Sequence, residues 1–134
     1  MTNINSSQCL ALLQGHTALV CQLQLSGDTL ATGGSDGRVI TFSLNTMSVV
    51  RRIAAHDSSV TALQFDSHFL VTGGMDGLVR LYDAATGNFV RDLTQPAEAV
   101  WKVVHKYDKC VVMCKRAGKT VVEIWSFRPT EEDD

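Results

Sequence analysis

The 134-residue sequence predicts an all-β fold built from repeated antiparallel sheets of four strands. Two observations indicate this fold class. Residues 31–37 (ATGGSDG) return as residues 71–77 (VTGGMDG) after an interval of 40, and the flanking residues return with the same offset. Short runs of Val, Leu, Thr and Phe alternate with turn residues, and no segment has the length and pattern of an amphipathic helix. Repeats of this length bury their apolar faces only against one another.

The second repeat shows the strands most clearly. They are predicted at 60–65, 69–72, 78–82 and 89–93, and each break between them carries Gly, Asp, Asn or Ser. Residues 69–71 are apolar at successive positions, which is typical of a sheet covered on both faces. Sheets stacked radially as the blades of a β-propeller have this property.

The repeat also predicts how the chain is divided. The predicted parts are a disordered N-terminal segment at 1–8, an outer strand at 9–14, blades at 15–54 and 55–94, an incomplete blade at 95–127, and an acidic tail at 128–134. About three blades cannot close a ring, because propellers use about 4–8. We therefore expect an incomplete propeller, the C-terminal piece of a larger one. An alternative expectation is that copies of the chain associate through their unpaired blade edges.

Composition excludes several classes of function. The net charge is −2 with both signs mixed, so binding to nucleic acid is not expected. No apolar stretch approaches about 20 residues, and no secretory signal is visible, so no membrane association is expected. The four cysteines are interpreted as reduced thiols of a nuclear or cytoplasmic protein. Cys110 and Cys114 lack further ligands at a suitable spacing, so neither a metal nor a cofactor is predicted.

One polar set recurs with identical spacing in both full repeats. Its members are His16, Thr32 and Asp36 in the first repeat and His56, Thr72 and Asp76 in the second. A carboxylate in a tight turn can bind the imidazole, which in turn binds the Thr hydroxyl, so the set predicts a structural network. Catalysis is not predicted, because a nucleophile and its base would occur once and converge on one pocket. The chain is therefore not expected to be an enzyme.

These residues resemble WD repeats, in which a Gly-His loop, a strand Ser or Thr, a turn Asp and a Trp form a hydrogen-bonded tetrad. The Trp position here holds Phe42 and Tyr82. The resemblance implies that Tyr82 belongs to the structural network of its repeat. Phe42 has no polar group, so the first repeat keeps three members at most.

Longer segments resemble the last three blades of the F-box/WD-repeat substrate receptors of the cell-division-control type. The segments are residues 9–17, 86–93, 100–103, 110–118 and 124–127. The resemblance implies a protein-interaction module in an SCF-type E3 ubiquitin ligase. Its partners would be phosphorylated protein substrates and, through an upstream F-box, the Skp and cullin subunits. The alternative is a generic WD-repeat scaffold for a multiprotein complex.

The same resemblance suggests where phosphate would bind. Arginines of that family follow the Val of the innermost strand or precede the turn Asp, and they clamp phosphate by paired hydrogen bonds. The equivalent residues here are not basic: Cys21, Thr61, Trp101, Ser35 and Met75. The last repeat does carry Lys115 and Arg116 in its turn, and Arg116 matches a basic position of the family's substrate-facing rim. Lys115 and Arg116 are therefore the expected substrate-binding residues, with a solvated rim as the alternative.

Overall fold

The computed structural model describes residues 7–106 and 109–126. The predictions of disorder at 1–6 and of an acidic tail at 128–134 lie outside these residues. The described residues form eleven strands: β1 Val20–Ser26, β2 Thr29–Gly34, β3 Arg38–Ser43, β4 Ser48–Ala54, β5 Val60–Phe65, β6 Phe69–Gly74, β7 Val79–Asp83, β8 Phe89–Asp92, β9 Ala99–Lys106, β10 Lys109–Arg116 and β11 Lys119–Ser126. Within this part of the chain there is no helix long and apolar enough to cross a membrane.

The strands form three antiparallel sheets in which neighbours in sequence are neighbours in space. Blade 1 has the order β1-β2-β3-β4, blade 2 the order β5-β6-β7-β8, and blade 3 the order β9-β10-β11. Each blade is thus an up-and-down meander, with β1, β5 and β9 as the inner strands. The all-β fold and the incomplete propeller of about three blades are confirmed.

Blade 2 is packed between blades 1 and 3, which explains the apolar run at 69–71. Strand β6 is buried on both faces, whereas β4 alternates between half-buried and exposed positions. Two apolar cores lie in the two spaces between blades. The core between blades 1 and 2 contains Ala31, Val39, Ala55, Val60, Leu63, Phe65, Leu70 and Tyr82. The core between blades 2 and 3 contains Ala62, Val71, Val79, Leu81, Leu93, Val100, Val103, Cys110, Val112 and Cys114.

The glycine that ends each repeated turn is the point where the following unit docks. Gly77 has a φ of 85°, and a Cβ added there would overlap the Ala97 carbonyl oxygen. The Ala97 N–H donates to the Gly77 carbonyl at 2.9 Å. Gly37 stands in the same relation to the His56 carbonyl. The Asp-Gly pair of the repeat therefore combines a turn with a close backbone contact that no side chain would permit.

Every inner strand carries an irregularity at the same place. The ladder shifts between Val20 and Gln22 in β1, between Val60 and Ala62 in β5, and at the equivalent point of β9. The residues passed over are Cys21, Thr61 and Trp101. A bulge re-aims the side chain of its extra residue, so these three leave the regular alternation of their strands.

Residues 9–14 differ from the prediction of an outer strand. They form no strand and pair with none of the eleven strands described. A strand needs a neighbour to satisfy its backbone groups, and the third strand of a preceding blade is not among the described residues. The side chains of Leu10 and Leu12 are accordingly exposed.

Candidate functional site

The predicted set of His56, Thr72 and Asp76 is fully hydrogen-bonded in blade 2. The His56 ring lies between the turn and strand β6, with Nδ1 at 3.0 Å from Asp76 Oδ1 and Nε2 at 2.8 Å from the Thr72 hydroxyl. Asp76 also accepts the N–H groups of Asp57 at 3.1 Å and Leu78 at 3.3 Å. The carboxylate thus joins the loop before β5 to the turn after β6, and the imidazole joins both to the strand.

Burial changes the pKa of His56. The His56 side chain is inaccessible to solvent, and desolvation lowers its pKa below the ordinary 6.5, although Asp76 opposes the shift. A neutral ring is consistent with the hydrogen bonds, because Nδ1–H donates to the carboxylate while Nε2 accepts from the Thr72 hydroxyl. Both ring nitrogens of His56 therefore have hydrogen-bond partners, and the network holds the loop before β5, the turn after β6 and strand β6 together.

The equivalent network in blade 1 is weaker. His16 Nε2 lies 2.6 Å from the Thr32 hydroxyl, but His16 Nδ1 has no hydrogen-bond partner among the described residues. Asp36 instead accepts from the Thr17 hydroxyl at 3.3 Å and from the Arg38 N–H at 3.1 Å. All three predicted residues are close together, yet the link between His16 and Asp36 is missing.

Tyr82 does not extend the network of its repeat. Its ring belongs to the core between blades 1 and 2 and makes an edge contact with Phe89, at 5.7 Å between centroids. No hydrogen bond joins its hydroxyl to Thr72 in the described chain, and the hydroxyl instead interacts with the Arg80 guanidinium. A phenol carries its hydroxyl at the far end of the ring and has no donor at the place of an indole N–H, so the expectation for Tyr82 is corrected to a packing role.

Blade 3 has a different link in the place of the His–Asp pair, and sequence reasoning missed it. Arg116 Nε and Nη2 donate to the two Glu123 carboxylate oxygens at 2.6 and 3.1 Å. The same guanidinium donates to the carbonyls of Pro96 at 2.9 Å and Gln95 at 2.7 Å. It therefore ties the β10–β11 turn to the loop before β9, as Asp76 ties its own turn to the loop before β5.

A signal for this replacement is present in the sequence. Arg116 lies 40 residues after Asp76, and Pro96 lies 40 residues after His56. Where the repeat loses its histidine, it also loses the aspartate. The hydrogen bonds with Arg116 lower the pKa of Glu123, and they raise the pKa of Arg116 further above its ordinary value.

Lys115 is the more available cation of the predicted substrate-binding pair. Its Nζ lies 3.7 Å from a Glu98 carboxylate oxygen, and both side chains are close to half exposed. A surface ion pair of this kind is worth about 0–1 kcal/mol, so another anion can compete for the ammonium. The binding of phosphate by Lys115 and Arg116 stays a prediction.

The His, Cys and acidic side chains of the described residues do not form a candidate metal site. Residues 7–106 and 109–126 contain no cluster of three or more His, Cys, Asp or Glu side chains that could hold a metal ion. Cys110 and Cys114 are free and buried, and desolvation raises the pKa of Cys110 to about 12. A thiol with so high a pKa is protonated and unreactive.

Three stacked meanders held by repeated turn networks define a β-propeller repeat protein. The chain belongs to the WD-repeat family, because the model of the WD domain, G-beta repeat, matches residues 7–43 and 47–83. No curated relative matches the sequence.

Solved propellers show the same arrangement of strands. The chain is similar to the computationally designed Ika8 protein, with 27% identity and a TM-score of 0.77 over 86% of this chain and 35% of that one. It is similar to the WD40 propeller domain of Doa1, with 23% identity and a TM-score of 0.74 over 84% of this chain and 38% of that one. The propeller domain of Myceliophteria thermophila Cps50 (Swd1) gives 20% identity and a TM-score of 0.66, over 81% and 39%.

The chain thus spans less than two fifths of each of these three structures. WD-repeat propellers generally act as protein-interaction modules and not as enzymes.

Proposed function

We propose that the chain is part of the substrate-recognition propeller of an SCF-type E3 ubiquitin ligase and helps to bind phosphorylated degrons. In the parent protein, an F-box upstream of these blades would bind the Skp adaptor, and the protein would work in the nucleus or the cytoplasm. The proposal is supported by the resemblance of the last repeat, around Trp101 and residues 110–118, to that class of receptor.

The observation that carries the proposal furthest is the position of Lys115. It lies 40 residues after Met75 and 80 after Ser35, at the place where the resembled receptors hold a phosphate-binding arginine. Only in blade 3 is this position basic. Its weak pairing with Glu98 leaves the ammonium able to bind a phosphate on the rim.

Arg116 has a supporting role in this proposal. Its guanidinium is committed to Glu123 and to two backbone carbonyls, so a phosphate would have to displace several charge-assisted hydrogen bonds. In this proposal Lys115 makes the first contact with phosphate, and Arg116, the second predicted contact, also fixes the turn that presents Lys115.

A generic WD-repeat scaffold is the second candidate function. The inner-strand positions Cys21, Thr61 and Trp101 are all uncharged, and a scaffold that binds unmodified proteins needs no cations there. The Thr61 hydroxyl donates to the Val100 carbonyl across the space between blades, which is a structural contact. The two functions differ in whether binding depends on phosphate.

An immunoprecipitation of the parent protein, with and without phosphatase, separates the two. We expect the Skp adaptor to be recovered in both samples and substrates to be lost after phosphatase treatment. Failure to recover the Skp adaptor contradicts the ligase assignment. Substrates that remain bound after phosphatase treatment contradict phosphate recognition and favour the scaffold.

The role of Lys115 is tested in the same parent protein by the Lys115→Ala variant. Recovery of the phosphatase-sensitive partners should fall about tenfold, the equivalent of about 1.4 kcal/mol for one lost charge-assisted contact. Arg91→Ala, which removes an exposed cation from the outer strand β8, is the matched control and should leave recovery unchanged. Equal recovery with both variants would show that Lys115 does not contact phosphate.

A further inference from the structure

The first blade exposes an apolar face whose repeat equivalent is buried. Leu23 in β1 is 70% exposed, whereas Leu63, at the same position of β5, is 5% exposed. Val20 and Leu25 are also exposed, and their equivalents in β5 lie in the core between blades 1 and 2. We call Val20, Leu23 and Leu25 the leading face of blade 1.

Blade 3 exposes an apolar face on its other side, equivalent to the side of blade 2 that packs on blade 3. Strand registers place Val122 and Ile124 of β11 at the positions of Val79 and Leu81 in β7. Val122 and Ile124 are 65% and 72% exposed, whereas Val79 and Leu81 are 0% and 2% exposed. Together with Val111, which is equivalent to a buried valine of β6, they form the trailing face of blade 3.

These two kinds of face already bind each other inside the chain. Val79 and Leu81 on the trailing side of blade 2 share one core with Val100 and Val103 on the leading side of blade 3. The core between blades 1 and 2 is built in the same way. The exposed faces at the two ends are therefore complementary by the geometry that the chain itself uses twice.

The sheet edges are complementary as well. Strands β3 and β7 each pair with an outer strand, but β11 has no such partner among the described residues. Residues 9–14 precede residues 49–54 of the outer strand β4 by the same 40 positions, and they are unpaired. Within the described residues, each copy thus has an unfilled edge at β11 and an apolar segment of the kind that fills such an edge.

We propose that two copies of the 134-residue chain close a ring of six blades. The trailing face of blade 3 in each copy packs on the leading face of blade 1 in the other. Residues 9–14 of each copy add to β11 of the other as its fourth strand. The register of β3 with β4 then places Ile124 opposite Ala11 and Val122 opposite Leu13 of the second copy.

Such a ring is physically closed. The two interfaces are related by a twofold axis, and six blades fall within the range of about 4–8 that propellers use. The inference does not rest on the proposed ligase function, because it concerns the 134-residue chain by itself. In a longer parent protein, neighbouring blades of the same polypeptide would cover the same two faces.

Sedimentation equilibrium of the full chain tests the proposal. We expect a species of twice the 14.6 kDa of one chain, with no larger species as concentration rises. Leu23→Glu and Ile124→Glu should each raise the dissociation constant about 100-fold or more, because each places a charge in both interfaces. Val90→Glu, an exposed valine on the outer strand β8, is the control and should leave the dimer intact.

A folded monomer at 100 μM, by circular dichroism and sedimentation, would overturn the proposal. A mass that grows without limit would also overturn it, because a contact that does not close produces filaments. A dimer that withstands both Leu23→Glu and Ile124→Glu would show that other surfaces join the copies.

Cross-linking tests the strand register without relying on destabilising variants. In a Cys9→Ser, Cys21→Ser background, chains with Ala11→Cys are mixed with chains with Ile124→Cys and oxidised. We expect a disulfide between the two kinds of chain, and none when Leu12→Cys replaces Ala11→Cys, since adjacent strand residues face opposite sides. Equal yields from both mixtures, or no disulfide from either, would contradict the added strand.

Discussion

Asp76 and Asp36 occupy the same position in successive repeats but differ in the hydrogen bonds that they accept. Asp76 binds the buried His56 ring and two backbone N–H groups, whereas Asp36 makes no bond to His16. The difference follows from the neighbours, since blade 2 is covered on both sides and blade 1 on one. The same sequence motif can therefore contribute different amounts to the free energy of unfolding in two repeats.

This difference leads to a first prediction. Asp76→Ala should lower the free energy of unfolding by about 2–3 kcal/mol, because it leaves buried donors without an acceptor. Asp36→Ala should cost about 1 kcal/mol or less, because its bonds lie nearer to solvent. Urea unfolding of both variants measures the two losses. A larger loss for Asp36→Ala would contradict the structure of both networks.

The lowered pKa of His56 leads to a second prediction. Between its folded pKa and the ordinary 6.5, the unfolded chain binds more protons at this site than the folded chain does. The stability that His56 contributes is therefore complete above pH 6.5 and is lost as pH falls below it. Urea unfolding at pH 7.5 and 5.5 measures this loss.

The matched variants are His56→Gln and His68→Gln. His56→Gln should flatten the pH dependence between 7.5 and 5.5, because the titrating ring is gone. His68 is an exposed loop histidine, and its replacement should leave the slope unchanged. An unchanged slope in His56→Gln would show that this ring does not control acid stability in that range.

At the scale of the elements, the turn glycines decide how one blade docks on the next. Gly77 and Gly27 both have positive φ, at 85° and 58°. A Cβ at Gly77 would overlap the Ala97 carbonyl, whereas nothing lies within 4 Å of a Cβ at Gly27. Both positions have a left-handed backbone that glycine adopts without strain and other residues do not, and a Cβ would be crowded only at Gly77.

We expect Gly27→Ala to cost about 1–2 kcal/mol, the strain of a left-handed alanine alone. Gly77→Ala should cost at least twice as much, because the loop before β9 must also move. Thermal unfolding compares the two, and hydrogen exchange should show lost protection at Ala97 only in Gly77→Ala. Equal losses would mean that the turn does not bind the following unit.

Sequence reasoning located most strands because their limits are set by turn residues. Strand β5 matches its prediction, but β6 extends to Gly74 and not to residue 72. The extension arises because Val60 pairs with Gly74 and keeps both glycines in the ladder. Such pairing depends on the partner strand, so local propensity cannot show it.

The dependence of structure on distant partners also explains the larger differences between the predictions and the structure. Residues 9–14 have a strand-like sequence, yet a strand forms only where an edge is available. The 40-residue repeat shows that the His–Asp pair is lost at Pro96 and Arg116. The link from Arg116 to Glu123 joins positions seven apart across a hairpin, and the repeat does not give Glu123 as the new partner. The His–Thr–Asp set was predictable because it recurs at fixed spacing.

At the scale of the whole molecule, the described residues form a stack in which one kind of interface is used twice, and they leave one equivalent face uncovered on blade 1 and one on blade 3. An uncovered face of this kind distinguishes a propeller segment from a self-contained domain. A residue whose face is covered by the next blade should then contribute more to the free energy of unfolding than the equivalent residue on an uncovered face. Leu63 and Leu23 are the matched pair that shows this, with the same side chain at the same repeat position.

The most direct test is the free energy of unfolding of Leu63→Ala and Leu23→Ala, both measured in an Ile124→Glu background that prevents association. We predict a loss of about 2–4 kcal/mol for Leu63→Ala, because it opens a cavity in the core between blades 1 and 2. Leu23→Ala should change stability by less than about 0.5 kcal/mol, as an exposed substitution does. Equal losses for the two variants would contradict the claim that blade 1 presents an open face.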